Sequence, residues 1–423
     1  MKATSNFRIL QFVFILCMFP GFFSTNLAQN DGMGNFKSFK GIVSDAATNE
    51  PLVFATLAVD GTDIATVTNS EGEFILKVPE AFIGNNLSVS FIGYDRKKIP
   101  LTALKSDGNK LSLQPISVNL VEVSVFPSDP NLLIKAIMGR RNDNYMDQPK
   151  RNIAFYRETI KKGWNYVSLT EAVVDIYKQP YSSVKPDQVS LLIGRKSTDY
   201  DKVDTLVFKL QGGPLAALML DIMKEPYTLF YEENIEQYQF QINKVTRLDD
   251  RLLYVISFEQ KPVDGDPWFY GDLYVDTENL AITLASFNLN LDNKEAASRM
   301  FIRKKPMGAK VYPTKATYMV NYREIDGHWY FAYSRGQVDF KINWRKKLFN
   351  SNYYTTMELA VTDRINTDNG AFKASDRLKM NVIMEDAVQG FANDDFWGDY
   401  NVIEPEQPIE NAIKRIQKQL KDN

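Results

Sequence analysis

The stretch from residue 39 to residue 125 constrains the fold of this chain more than any other part of the sequence. Short apolar runs alternate there with turn residues, a pattern typical of the short strands of an antiparallel β-sandwich. Residues 69–72 read Asn-Ser-Glu-Gly, the polar start and glycine end that a type I turn prefers. Gly41 and Gly93 interrupt strand-like runs, where the missing Cβ permits a bulge or a sharp bend. We therefore predict a β-sandwich over residues 38–125.

Four short motifs in this stretch carry a family resemblance. They are G-x-V-x-D at 41–45, E-P-L-x-x-A at 50–55, T-x-x-E-G-x-F at 68–74 and F-I-G-Y at 91–94. Together they resemble the carboxypeptidase regulatory-like domain, a prealbumin-like sandwich also found at the N-termini of TonB-dependent outer-membrane receptors. The resemblance implies a fold and an envelope location. It does not imply peptidase chemistry, because this domain accompanies peptidases and is not itself one.

Residues 1–28 have the composition of a secretory signal peptide. Basic residues precede an apolar run over residues 9–23, and small residues stand before a cleavage position after Ala28. A single-pass anchor is the alternative, but the run is short and Pro20-Gly21 breaks it. We predict an exported protein of the periplasm or outer membrane, whose mature chain has no transmembrane helix and no cysteine, because Cys17 is removed.

The rest of the 423-residue chain is long enough for a larger second domain. Abundant Tyr and Phe favour β structure, and a formal net charge of −2 gives no indication of nucleic-acid binding. We predict a β-rich domain over residues 130–395. A tail motif and an amphipathic C-terminal helix are expected over residues 396–423.

Turn and cap residues place the elements of the second domain. Asp129-Pro130 is expected to begin a helix that ends near Gly139, and Gly212-Gly213-Pro214 begins another that ends before Pro226. Residues 153–161 and 166–177 are expected to form a hairpin. The other predicted strands are 204–210, 238–248, 252–260, 268–276, 281–291, 316–325, 337–345, 353–364 and 377–384.

The strand over residues 337–345 alternates most strictly between apolar and polar side chains. Val338, Phe340, Ile342 and Trp344 form its apolar face. In a closed sheet this face is core, and in an open sheet it lines a cavity. The four residues are therefore the candidate contacts for an apolar ligand.

Three further motifs carry a second resemblance. FYRE at 155–158, LTEAVVDIYKQPY at 169–181 and FWGDYNVIEPE at 396–406 resemble envelope proteins that carry a regulatory-like N-terminal domain. The β-rich segment interrupted by a helix is similar to the half-barrel of lipoprotein carriers of the LolA type, in which a curved sheet encloses an apolar cavity. This similarity implies a lipid or lipoprotein as ligand.

The chain lacks the residues of the common hydrolase sites. A catalytic zinc ion needs about three protein ligands, normally including histidine, and His328 is the single histidine of the chain. It stands in a predicted hairpin turn, and no serine lies in a recognisable nucleophile motif. We therefore predict no enzyme activity, no metal site and no cofactor.

A carboxylate-based hydrolase is the remote alternative. Asp264, Asp266 and Asp272 stand close in sequence to Trp268 and Tyr270, and glycosidases combine paired carboxylates with aromatic side chains. A turn followed by a strand explains the same residues.

Two basic clusters are candidate contacts for anionic lipid headgroups, provided that both lie at one rim of the sheet. Solvated loop ends are the alternative interpretation. The clusters consist of Arg303, Lys304 and Lys305, and of Arg345, Lys346 and Lys347.

Together these features predict a non-catalytic binding or scaffold protein of the periplasm or outer membrane. Its partner would be an outer-membrane protein or an apolar ligand such as a lipid or lipoprotein. The alternative is an accessory module that docks to a TonB-dependent outer-membrane transporter.

Overall fold

The N-terminal strands form two small sheets packed face to face. One sheet has the order β4-β1-β7 and the other has the order β3-β2-β5-β6. The pairs are antiparallel, as predicted, except that β1 and β7 run parallel. The strands are β1 Phe36–Asp45, β2 Thr56–Val59, β3 Ala65–Val67, β4 Glu73–Pro79, β5 Asn86–Ser90, β6 Lys97–Pro100 and β7 Asn109–Leu113.

The glycine of the first motif is needed for close strand packing. A Cβ on Gly41 would lie 2.2 Å from the carbonyl oxygen of Asn109 on β7, so a larger residue would force the two strands apart. The turn at residues 69–72 is also present, and Gly72 has a φ of +74°.

The coordinates are those of a computed structural model. It describes residues 35–116, 129–198, 212–225, 229, 232–261, 267–301, 308–345, 350–365, 370–388, 396–406 and 409. The predicted signal peptide, the predicted strand at 204–210 and all but Ile409 of the predicted C-terminal helix lie outside these residues. The described residues belong to one compact unit.

A single antiparallel sheet of ten strands follows the sandwich, with the order β10-β9-β8-β17-β16-β15-β14-β13-β12-β11. The prediction of a mainly β chain with few helices is confirmed. The strands are β8 Lys150–Lys162, β9 Asn165–Lys178, β10 Gln188–Thr198, β11 Tyr238–Leu248, β12 Arg251–Gln260, β13 Phe269–Asp276, β14 Ile282–Leu289, β15 Ala309–Ile325, β16 His328–Trp344 and β17 Ser351–Ile365.

Several strand predictions differ from the structure. β15 begins at Ala309 and β16 at His328, earlier than the predicted starts at residues 316 and 337. Sequence reasoning missed β10, although it pairs with β9 along nearly its whole length. The predicted strand at 377–384 is wrong, because this segment forms turns and packs Leu378, Val382 and Met384 into the main core. The apolar residues of this segment are buried although the segment pairs with no strand.

The described helices are short. They are α1 Pro130–Gly139, α2 Arg141–Asn144, α3 Gly213–Leu218, α4 Lys294–Phe301 and α5 Met384–Ala387. α1 begins as predicted, since the Asp129 side chain accepts a hydrogen bond from the Asn131 backbone N–H at 2.8 Å. α3 is shorter than predicted and leaves Met219 exposed.

The two faces of the large sheet have different partners. We call the face that packs against α1, α3 and α5 the inner face, with Tyr156, Val174 and Leu359 among its buried residues. The opposite, outer face packs against the N-terminal sandwich and against residues 396–406. Other parts of the chain therefore pack against both faces of the sheet.

Candidate functional site

Residues 396–406, which we call the tail, lie between the sandwich and the outer face of the sheet. Trp397 packs edge-on against Phe155 of β8, with ring centroids 5.4 Å apart. Val402 and Ile403 are buried in the same cluster as Val67 of the sandwich. The tail therefore supplies apolar contacts to both layers and joins them.

Hydrogen bonds fix the tail to the sandwich strands. The Asn401 amide accepts from the Lys77 backbone N–H at 2.7 Å and donates to the Lys77 carbonyl oxygen at 2.9 Å, as a strand partner would. Lys40 forms an ion pair with Glu404 at 2.8 Å. Asn69 donates to the Glu404 carbonyl oxygen at 3.2 Å.

Replacing Asn401 with Ala is expected to lower the free energy of unfolding by about 1–3 kcal/mol, because both backbone groups of Lys77 lose their partner. Urea unfolding measures the change, and limited proteolysis should cut the tail faster. Replacing the exposed Asn165 with Ala is the control. Equal proteolysis of both variants and the parent would contradict this role of Asn401.

A buried ion network underlies the tail. Glu171 of β9 is fully buried and accepts from Arg157 Nε at 2.8 Å and from Arg195 Nε at 2.7 Å. Arg157 also donates to the carbonyl oxygen of Ile403 in the tail at 2.7 Å. Although burial raises the pKa of Glu171, the two guanidinium groups outweigh it and hold that pKa below its ordinary value.

A second pair lies beside it, one strand further along the outer face. Arg335 of β16 forms an ion pair with Glu358 of β17, and the Tyr333 hydroxyl donates to Glu358 at 2.9 Å. Tyr333 also stacks on Phe54 of the sandwich, with ring centroids 5.4 Å apart. The two carboxylates therefore hold the guanidinium groups of β8 and β16 in fixed positions.

A pocket of about 510 Å³, which we call the tail pocket, opens above these groups. Its cationic and aromatic lining consists of Arg157, Lys161, Arg335, Trp164, Tyr166 and Tyr354.

One side of the tail pocket is formed by the tail and by Ile409. Glu406 accepts from the Tyr166 hydroxyl at 3.0 Å, and Ile409 is buried against Tyr166 and Leu169. Trp164, at the tip of the β8–β9 hairpin, is 97% exposed. The pocket thus combines ion-paired cations, the carboxylates of Glu358 and Glu406, aromatic rings and one solvent-facing indole.

The comparisons with known proteins concern mainly the sandwich. Residues 39–125 match the family described as CarboxypepD_reg-like domain. The predicted regulatory-like domain is confirmed. A stretch of 64 residues is 41% identical to the TonB-dependent receptor SusC of Bacteroides thetaiotaomicron. That stretch is 15% of this chain and 6% of the receptor, so the chain spans a small part of that relative's length.

Among solved structures, a DUF1329 family protein from Desulfovibrio piger matches 59% of this chain and 99% of its own chain. The sequence identity is 11% and the TM-score is 0.24.

The predicted apolar face lies on the helix-covered side of the sheet. Phe340 and Ile342 are buried, and Val338 and Trp344 are half-buried beside them. Phe301 of α4 packs edge-on against Phe340, with ring centroids 6.2 Å apart. The side chains that cover this face in the structure come from the chain itself, and its assignment as a ligand contact stays a prediction.

Of the two predicted basic clusters, the structure describes Arg345. Arg345 is exposed, and its backbone N–H donates to the Gly308 carbonyl oxygen at 2.9 Å, so the β14–β15 and β16–β17 connections meet at one rim. The other five residues, Arg303, Lys304, Lys305, Lys346 and Lys347, lie outside the described residues.

The residues considered for catalysis are dispersed. His328 is half-buried at the start of β16, and Asp272 on β13 accepts from the Ser257 hydroxyl. Asp264 and Asp266 lie outside the described residues. Within the described ranges, three or more potential metal ligands do not come together. The prediction that the chain is not an enzyme stays a prediction.

None of the helices in the described residues combines the length and the apolar character needed to cross a bilayer.

The inner face carries a separate buried network centred on Asp221. Lys178 Nζ lies 2.7 Å from Asp187 and 2.8 Å from Asp221. The hydroxyls of Tyr181 and Tyr322 donate to Asp221 at 2.9 and 2.8 Å. Lys178 and Asp221 are both buried, so this network stabilises the inner layer instead of contacting a ligand from solvent.

Glu158 on the inner face makes stability depend on pH. Burial raises its pKa to about 7, the nearby Glu385 adds to the shift, and the hydrogen bond from Tyr156 at 2.7 Å opposes it. Because its pKa is raised in the folded state, the protonated carboxyl of Glu158 stabilises the fold at pH values below the pKa of the unfolded chain. That contribution is lost as the pH rises from about 4.5 to about 7.

Replacing Glu158 with Gln is expected to remove this dependence. The parent should lose on the order of 3 kcal/mol of unfolding free energy across the interval, and the variant should lose little of it. Urea unfolding at several pH values measures the slope, with the exposed Glu80→Gln as control. A slope unchanged by Glu158→Gln would show that another group titrates.

Proposed function

We propose that this chain is a non-catalytic binding protein of the cell envelope that holds an amphipathic, anionic ligand in the tail pocket. A lipid or a lipoprotein chain has this chemistry. The predicted signal peptide and the similarity of the regulatory-like domain to part of SusC support the envelope location. This location would be the periplasm or the inner side of the outer membrane.

The arrangement of the tail pocket carries the proposal. Arg157 and Arg335 are held in place by Glu171 and Glu358 before any ligand arrives, so little side-chain entropy is lost on binding. Lys161 lies with its Nζ 5.1 Å from the Tyr166 ring centroid and adds a cation at the mouth. An anionic group would meet these cations.

The apolar part of such a ligand would meet the rings of the pocket. Trp164 and Tyr354 line it together with Ile409, and aromatic side chains with a polar end suit sites that are partly wet. The inner face is less suitable, because α1, α3 and α5 fill it with Ile134, Leu218 and Met384.

Extraction of the purified, full-length protein followed by mass spectrometry tests the proposal. We expect a co-purified amphipathic anion in the parent and a loss of several-fold in Lys161→Gln, because one pocket cation is removed. Lys185→Gln is the matched control, since Lys185 is exposed on the distant β9–β10 loop. A ligand-free parent, or equal loss in both variants, would contradict the proposal.

A second candidate function is docking to a TonB-dependent outer-membrane transporter. The 41% identity to SusC over 64 residues favours it. Phe82 is 38% exposed on the sandwich and could contact such a partner. Capture of a transporter from outer-membrane extract by the full chain, reduced by Phe82→Ser, would support docking, whereas equal capture by both proteins would argue against this surface.

A further inference from the structure

The two ends of the ten-stranded sheet differ in charge. We call the end formed by the β8–β9, β12–β13, β14–β15 and β16–β17 connections the Trp164 end, counting two strand residues on either side. The described residues there include seven cations and three carboxylates, a net charge of +4. They are Lys161, Lys162, Lys261, Lys294, Arg299, Lys310 and Arg345, against Glu259, Asp292 and Glu295.

At the opposite end, the β9–β10, β11–β12, β13–β14 and β15–β16 connections carry four cations and seven carboxylates among the described residues. They are Lys178, Lys185, Arg247 and Arg251, against Asp187, Asp249, Asp250, Asp276, Glu278, Glu324 and Asp326. Lys150, Arg151 and Arg364, at the ends of β8 and β17, also lie there and bring the sum of the described charges at that end to zero. The excess of positive charge is therefore at the Trp164 end.

The Trp164 end also presents apolar side chains to solvent. Trp164 is 97% exposed at a hairpin tip that follows two lysines, and Met300 on α4 is 54% exposed. The tip is held in position, because the Gly163 backbone N–H donates to the Asn352 carbonyl oxygen of the next hairpin at 3.0 Å. An indole held outward among cations is the arrangement of a membrane-interface anchor.

We infer that the Trp164 end docks on an anionic lipid bilayer surface, with the cations facing headgroup phosphates and Trp164 at the headgroup level. This inference rests on the proposed envelope location. Charge complementarity selects the occupant, since each Lys or Arg near such a surface contributes about 1 kcal/mol. Docking would also bring the tail pocket, which Trp164 and Lys161 line, close to the lipids.

Flotation of the full chain with vesicles tests the inference. We expect binding to phosphatidylcholine vesicles that contain phosphatidylglycerol, weak binding to pure phosphatidylcholine, and a decrease with added salt. Lys162→Gln and Arg345→Gln should each weaken binding about five-fold. Lys185→Gln, at the opposite end, should leave binding unchanged.

The apolar contact has its own test. Binding to vesicles with brominated acyl chains should quench part of the tryptophan fluorescence, and Trp164→Ser should remove that quenching and weaken binding. Val184→Ser is the matched control, because Val184 is fully exposed at the opposite end. Thermal unfolding of all variants verifies that they fold.

Two outcomes would overturn the inference. One is equal binding to neutral and anionic vesicles, and the other is an equal effect of the variants at both ends of the sheet. Lys162 and Arg345 are not among the residues that line the tail pocket, so these results would leave the proposed ligand binding standing. Weakened flotation of Lys162→Gln with a normal amount of co-purified ligand would separate the two functions.

Discussion

Replacing Glu171 with Gln is expected to lower the free energy of unfolding by about 3–5 kcal/mol and to loosen the tail. Glu171 is the fully buried carboxylate between Arg157 and Arg195. An amide removes the negative charge that both guanidinium groups contact, and Arg157 is itself buried. Arg157, which also holds the Ile403 carbonyl oxygen, then loses its fixed position, so ligand binding in the tail pocket should fall as well.

Urea unfolding and proteolysis of the tail measure the two effects. Glu80→Gln is the control, because Glu80 is exposed on a short 3-10 helix of the sandwich. The pH provides a second readout. A lowered carboxyl pKa stabilises the fold above the ordinary glutamate value of about 4.5, and this contribution is lost as the pH falls. A Glu171→Gln variant with the stability of Glu80→Gln would refute the structural role.

Replacing Asp221 with Ala is expected to cost a similar 3–5 kcal/mol, through the inner layer instead of the outer face. The substitution leaves the buried Lys178 with Asp187 alone and removes the acceptor of the Tyr181 and Tyr322 hydroxyls. Buried donors without acceptors are costly, whereas exposed ones are not.

A double variant makes this test specific. Lys178→Met combined with Asp221→Ala should be less destabilised than the sum of the single variants, because the unpaired charge is removed. Asp250→Ala, at an exposed position, should change the stability by less than about 0.5 kcal/mol. Additive effects of the two core substitutions would show that Lys178 and Asp221 are not coupled.

Local chemistry allows several elements to be predicted from the sequence. Asp129-Pro130 defines the start of α1, and the turn at Gly163 defines the β8–β9 hairpin. In both cases the residues that decide the structure are neighbours along the chain. The motifs at 155–158 and 169–181 are recognisable as sequence patterns, but they do not reveal that Arg157 and Glu171 pair with each other beneath the tail.

The tail pocket could not be predicted, because it is formed by residues far apart in sequence. β8 pairs with β17, which comes last among the strands of the sheet in chain order. This pairing places Thr159 next to Thr356 and Lys161 next to Tyr354. Alternation predicts that β16 has two faces, but it does not predict which strand lies beside it. The sequence therefore places Arg335 and Tyr354 on strands and Trp164 at a turn, but it does not indicate that they line a common pocket.

The position of the tail has a consequence for how the molecule folds. The tail residue Glu404 pairs with Lys40 of the sandwich, and the two are separated by 364 positions. Contacts between residues so far apart in sequence form slowly. The regulatory-like domain can form its own hydrogen bonds early. Its packing against the sheet is completed only when the tail is in place. Until then Phe155 and Val67 lack this apolar cover, and apolar surface exposed during folding favours aggregation.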